Sequence, residues 1–262
     1  PAVLAFNNAK GLFSNEDLRQ AVSYALDYDA FKTYFGSAYA EIPNRGFAPA
    51  TTVGYKETEK LTTDASKADA YMKAAGYAEK NADGFYVNAD GQVAAFTLTV
   101  NAAKETHVGY AEMVKTQLES FGIQVNLDTV DKDAYNAKTS NKFSENNITM
   151  EAAIYGYTAA GMGMGNGLGS IYVDGSHAVQ GGCQVFDEEF STILSEMKSA
   201  KTIEEYYEAA AKLQDYYAAH MPLIALYWDN VMLAYSSALD NVTVDAVFGL
   251  NNVNNWFSIT KK

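Results

Sequence analysis

The chain has 262 residues, 48% of them apolar and 19% charged, and a formal net charge of −13. That length can bury a core as one large domain or two small ones. With only two arginines, Arg19 and Arg45, and no basic run, nucleic acid is excluded as a partner, because phosphate binding needs clustered cations.

The acidic balance reads as a self-repelling surface rather than as ligand chemistry. No apolar run approaches membrane-span length. The lone Cys183 permits neither an internal disulfide nor a zinc cluster.

The opening residues, PAVLAF, read as a strand already under way, without the basic start, apolar segment and cleavage site of a secretory leader. Two readings follow: a cytoplasmic protein, or a piece of a longer secreted one. From Ser14 to Asp29 the spacing predicts one amphipathic helix. Leu18, Ala21, Val22, Ala25 and Leu26 form its apolar stripe. Ser14 or Asn15 is placed to cap it, and Glu16 and Asp17 sit where the helix dipole favours negative charge.

Ala30 to Phe35 reads as a second short helix ending at Gly36, followed by a long connection over residues 37–63. Such connections are uncommon in compact domains and often functional. Asp64 then caps a helix carrying Ala68, Met72 and Ala75, and Gly76 ends it. The turn dipeptides Asp83-Gly84 and Asp90-Gly91 bracket Phe85-Tyr86-Val87 as a hairpin. Their carboxylates lack the spacing and closing Glu of a calcium loop.

A βαβ unit follows. Phe96, Leu98 and Val100 alternate along a strand; Tyr110, Met113, Val114, Leu118 and Phe121 stripe a helix; Ile123, Val125 and Leu127 alternate again. That order implies a parallel pair. Asp131 to Lys142 is expected as a helix and Ile148 to Tyr155 as a strand. Between Gly156 and Gln184 no period is present. The alternating glycines from 161 to 169 precede no amphipathic helix, so a mobile loop is read rather than a dinucleotide fingerprint. Asp187 starts a helix with Phe190, Ile193, Leu194 and Met197. Thr202 and Glu205 form a capping box for the next, lined by Tyr206, Ala210, Leu213 and Tyr217 and stopped by Pro222. Leu223 to Tyr235 reads as two strands around Asp229-Asn230, and residues 236–262 as an Asn-rich segment with sparse anchors.

No chemistry-bearing constellation emerges. His107, His177 and His220 are scattered, and no His-x-x-x-His, Gly-x-Ser-x-Gly or Cys-x-x-Cys occurs. Cys183 has only His177 nearby in sequence, which is poor support for a nucleophile. The sequence is read as a non-enzyme without metal or cofactor.

Four phrases occur in one order. These are Ala5-Phe6-Asn7-Asn8 with Leu18-Arg-Gln-Ala-Val-Ser-Tyr-Ala-Leu-Asp27, then Ala68-Asp-Ala-Tyr-Met-Lys-Ala-Ala-Gly-Tyr77, then Leu118-Glu-Ser-Phe-Gly-Ile-Gln-Val125, then Met221-Pro-Leu-Ile224. Together they resemble the C-terminal lobe of the family 5 solute-binding proteins, the oligopeptide- and dipeptide-binding receptors of ABC importers. The resemblance implies an α/β fold: a mixed sheet with βαβ units flanked by helices, as in the C-terminal lobe of a type II (cluster C) periplasmic binding protein. Residues 1–235 would be the lobe, and residues 236–262 would return toward an absent N-terminal lobe.

The implied function is capture of a peptide or similar small polar solute between two lobes and delivery to an ABC permease. The implied location is extracytoplasmic, as a cell-surface lipoprotein or in the periplasm. A ligand-sensing lobe of a larger regulator or signalling receptor is the alternative. In the family a Gly-Trp pair precedes an acid that takes the peptide ammonium; here Gly156 and Tyr157 stand at the Gly-aromatic position, which with the preceding Tyr155 nominates three ligand-binding residues, and Ala160 replaces the acid. An unpaired buried ammonium is costly, so Asp174 is the one substitute considered. The loop Ile42 to Pro49 resembles the segment near the family's cleft and nominates Asn44 and Arg45. Arg45 would hold a ligand carboxylate in a bidentate fork, an exposed loop arginine being the alternative. Trp228 and Trp256 are expected in the core or a lobe interface.

Overall fold

Alternation along the first strand sets the layering. In the computed structural model the described residues are 2–50, 52, 54–140, 148–156, 182–229, 232–245 and 249–262. Strand β1 (Ala2–Phe6) turns Leu4 and Phe6 to one face and Val3 and Ala5 to the other, all four fully buried. A strand apolar on both sides belongs inside a sheet covered on both faces, and β1 is paired on both edges.

The five-stranded sheet has the order β5-β4-β6-β1-β7, with β4 Ala95–Asn101, β5 Gln124–Val130, β6 Ala152–Gly156 and β7 Leu223–Ala225. Strand β4 is parallel to β5 and β6, whereas β1 is antiparallel to β6 and β7. The same two-residue period runs on. Ala152, Ile154 and Ile224 join the Leu4 face, and Ala153, Tyr155, Leu223 and Ala225 join the Val3 face.

Four helices cover the Leu4 face: α1 (Glu16–Ala25), α2 (Tyr28–Phe35), α3 (Ala65–Ala74) and α4 (Glu105–Phe121). The helix expected from Ser14 to Asp29 ends at Ala25, and the second, expected from Ala30, begins at Tyr28. Leu26 leaves helical geometry, and the Asp27 side chain accepts from Ala30 N at 3.0 Å to start α2. A local cap won over a continuous apolar stripe. Asp64 caps α3 through Ser66 N and Lys67 N. The hairpin β2 (Glu79–Lys80) and β3 (Tyr86–Val87) forms as expected, and Gly122, at φ +120°, ends α4 before β5.

Among the described residues, three helices cover the Val3 face: α5 (Lys132–Thr139), α6 (Glu188–Ser199) and α7 (Ile203–His220). Helix α5 stops three residues short of the expected Lys142, and β6 starts at Ala152 rather than Ile148. The capping box of α7 is displaced by one residue. Thr202 Oγ1 accepts from Glu205 N, but the Glu205 carboxylate reaches back to Lys201 N at 2.7 Å, not to Thr202.

The second strand expected before Tyr235 is absent among the described residues. Instead the long connection folds over the β7 side: Glu41 and Trp228 exchange backbone hydrogen bonds of 2.9 and 3.0 Å. Covering an edge in this way removes a template for unwanted pairing. The C-terminal segment forms β8 (Leu239–Asp240), α8 (Val253–Ser258) and β9 (Thr260–Lys261), with β8 and β9 paired antiparallel. Buried Asn252 and Asn255 hold it together through Thr243, Gly249 and Leu250.

Candidate functional site

Because β4, β5, β6 and β7 run the same way, their carboxyl ends share one edge of the sheet, where β1 begins. In open α/β sheets, ligands bind outside the carboxyl ends of the strands. At this edge β6 ends on exposed Gly156, and the first turn of α4 rises directly after β4. The imidazole of His107, in that turn, lies against Gly156. A Cβ built on the glycine would sit 3.2 Å from both His107 Cε1 and Nε2, so a larger residue here would press on the ring and shift it by a few tenths of an ångström.

Burial pushes the His107 imidazole down to about 4, with nearby Lys104 adding to the effect and the Ile154 carbonyl opposing it. The ring is therefore neutral at physiological pH. Beside it stands Tyr110, ring centroids 5.9 Å apart, whose hydroxyl shares a 2.7 Å hydrogen bond with that of Tyr227. Burial raises the Tyr110 phenol well above its usual range, with the Tyr227 hydrogen bond adding to the effect. Farther along, Asp229 accepts from Ser37 N at 2.8 Å and from Ser37 Oγ at 2.5 Å, tying the end of α2 to the chain after β7. The edge thus sets exposed Gly156 and the half-buried His107 imidazole over the buried Tyr110–Tyr227 pair, with the Asp229 carboxylate near Tyr110.

The residues nominated from sequence divide here. Gly156 is at the edge and exposed. Tyr155 points the opposite way, 2% exposed, with its hydroxyl donating to Thr139 O at 3.1 Å and its ring edge-on to Tyr135; its side chain belongs to the core. Tyr157, with Ala160, Asp174 and His177, lies outside the described residues.

Asn44 donates through Nδ2 to Ala48 O at 2.7 Å, while its Oδ1 is buried with no hydrogen-bond partner. Arg45 is turned inward rather than toward a ligand. It is 5% exposed, bonded to Gln20 Oε1 and, at 3.3 Å, to Ser23 Oγ, and it lies 4.7 Å over the Tyr24 ring. Trp228 packs on Phe47, centroids 5.4 Å apart, whereas Trp256 is 67% exposed. His107 was legible only as an early helix residue. The signal that finds it is topological: the first turn after a parallel strand must stand at the carboxyl edge.

Cys183 is fully buried and its thiol is pushed up to about 12 by that burial. Among the described residues no group of His, Cys, Asp and Glu is arranged to hold a metal ion.

Comparison with known proteins bears on the family and the fold. Residues 1–173 match the model for bacterial extracellular solute-binding proteins, family 5 Middle. A probable ABC transporter-binding protein of Deinococcus radiodurans is 25% identical over 158 residues, covering 57% of this chain and 25% of that relative. The oligopeptide-binding protein AppA from Bacillus subtilis, solved with a nonapeptide, superposes with a TM-score of 0.74 at 18% identity, over 100% of this chain and 50% of that one. A periplasmic oligopeptide-binding protein from Thermotoga maritima, solved with mannohexaose, gives 0.72 at 17% identity, over 92% of this chain and 46% of that one. The chain therefore spans about half the length of these solved structures.

Proposed function

The chain belongs to the bacterial extracellular solute-binding proteins of family 5, and from that membership we propose that it is one lobe of an ABC importer's receptor. The lobe captures a peptide or similar small polar solute against a second lobe and delivers it to a membrane permease. The receptor works outside the cytoplasm, as a surface lipoprotein or in the periplasm. The observation that carries this reading is the carboxyl edge, where exposed Gly156 meets neutral His107 beside the Tyr110–Tyr227 hydroxyl pair. Gly156 is followed directly by Tyr157, an aromatic suited to stacking on a solute.

A polar edge of this kind suits peptide backbone or sugar hydroxyls, the ligand classes found with the two solved relatives. Closure follows from differential contact: a solute touching both lobes stabilises the closed form, and one lobe alone binds weakly. Residues 236–262 support the two-lobe reading. Trp256 and Phe257 there are 67% and 87% exposed, surface that a second lobe would cover.

Titration calorimetry tests the proposal. A two-lobed protein containing this chain is titrated with pooled short peptides and then with oligosaccharides, with residues 1–262 alone as control. Saturable heat from the two-lobed form, with little from the lobe, is expected. Equal affinity in the isolated lobe would contradict the shared cleft.

A further inference from the structure

Two grooves lie away from the carboxyl edge. Helices α6 and α7 pack as a pair, and a groove of about 640 Å³ runs between them, floored by Ile193, Tyr216 and Ala219. A second groove of about 540 Å³ reaches past Glu16 and Arg19 to Asn8, just beyond the end of β1. The two share Glu189, Tyr216 and His220 and so form one trough at the amino edge of the parallel strands.

The trough is apolar below and acidic above. Asp187, Glu188, Glu189, Glu196, Asp215 and Glu16 line it. Its cations are paired: Arg19 is buried, while exposed Lys212 and Lys56 hold Glu196 and Asp215. Arg19 is 6% exposed and donates to His220 O at 2.9 Å and Phe13 O at 2.8 Å, while Lys212 bonds Glu196 at 2.7 Å. His220 stacks on Tyr216, centroids 4.3 Å apart, with Nδ1 held by Glu16 at 2.5 Å. Glu188 and Glu189 head α6 on its exposed side. That leaves a negative rim around aliphatic and aromatic surface, which repels anions and complements cations.

We propose that this trough docks a basic amphipathic segment of a partner protein. Aliphatic side chains of the segment seat on Ile193, Tyr216 and Ala219, and its Lys or Arg side chains face Glu188 and Glu189. Since the trough lies at the amino edge and the solute site at the carboxyl edge, docking neither requires nor blocks a bound solute, and the proposal is independent of the solute reading.

The test uses residues 1–262 and a labelled synthetic peptide of repeated Leu-Arg-Arg-Leu units, read by fluorescence anisotropy, with the Glu-for-Arg peptide as control. A chain of net charge −13 attracts cations everywhere, so the variants must separate site from surface. Ala219→Trp fills the floor from an exposed position, and Glu188→Gln/Glu189→Gln removes rim charge. Asp83→Asn/Asp90→Asn removes equal charge from the remote hairpin. The first two are expected to weaken binding about five- to tenfold and the third by less than about twofold. Equal weakening by both charge variants, an Ala219→Trp variant that binds like the parent, or no binding of the Arg peptide would each overturn the proposal.

Discussion

Replacing Arg45 with Ala should destabilise the protein rather than merely alter a surface loop. Its guanidinium donates to Gln20 Oε1 and to Ser23 Oγ at 3.3 Å, and it covers the Tyr24 ring at 4.7 Å. A hydrogen bond from a charged donor contributes roughly 1.5–3 kcal/mol, less at the longer Ser23 distance. A partly desolvated cation–π contact adds about 1–2 kcal/mol. Against these, removing a buried charge relieves its desolvation cost. A net loss of about 2–4 kcal/mol results, or roughly 5–15 °C in Tm for a chain of this size. Arg45→Lys keeps the charge but not the planar fork and should lose about half as much.

Urea unfolding followed by circular dichroism measures both, and an unchanged m-value keeps the comparison valid. An Arg45→Ala protein within about 0.5 kcal/mol of the parent would refute the reasoning and restore Arg45 as a free loop cation. Lost solute affinity at unchanged stability would point to the ligand contact expected from sequence.

Further outcomes follow from the same geometry. The folded His107 imidazole sits at about 4 against an ordinary 6.5, so the unfolded chain binds the proton first and stability rises with pH through that window. The benefit is complete above about 6.5 and lost as pH falls through about 4; discounted for partial exposure it amounts to about 1–2 kcal/mol. His107→Gln should flatten this dependence in urea midpoints measured at acid and neutral pH. Asp187→Ala removes both the cap on Phe190 N at 2.7 Å and the acceptor of the Tyr216 hydroxyl, costing about 2 kcal/mol by thermal unfolding; Asp187→Asn should keep most of it. Gly156→Val must push the His107 ring aside. It should reduce solute affinity of the two-lobed protein about tenfold by calorimetry, with stability changed by less than about 1 kcal/mol.

The layered fold was legible because periodicity records burial. Leu18, Met72, Val114 and Leu118 are buried where their stripes placed them, and the parallel β4–β5 pair follows from the strand–helix–strand order. Caps and breaks were less legible. Asp27 ends one helix stripe by starting another, a choice between two locally favourable hydrogen-bond patterns. The site was least legible because side-chain direction depends on tertiary neighbours. Arg45 on a Pro- and Gly-rich loop reads as exposed until the loop packs near α1 and α7, and Tyr155 reads as cleft-facing until the strand period assigns it to the opposite face from Ile154. His107 needed the topology itself.

Amide hydrogen exchange on the two-lobed protein, with and without a saturating peptide or oligosaccharide, locates the bound solute most directly. Solute-dependent protection at residues 101–108, 154–156 and 226–229, with the amino edge around Asn8 and Pro222 unchanged, is the predicted result. Protection at the amino edge with residues 101–108 and 154–156 unaffected would contradict a solute site at the carboxyl ends of the strands.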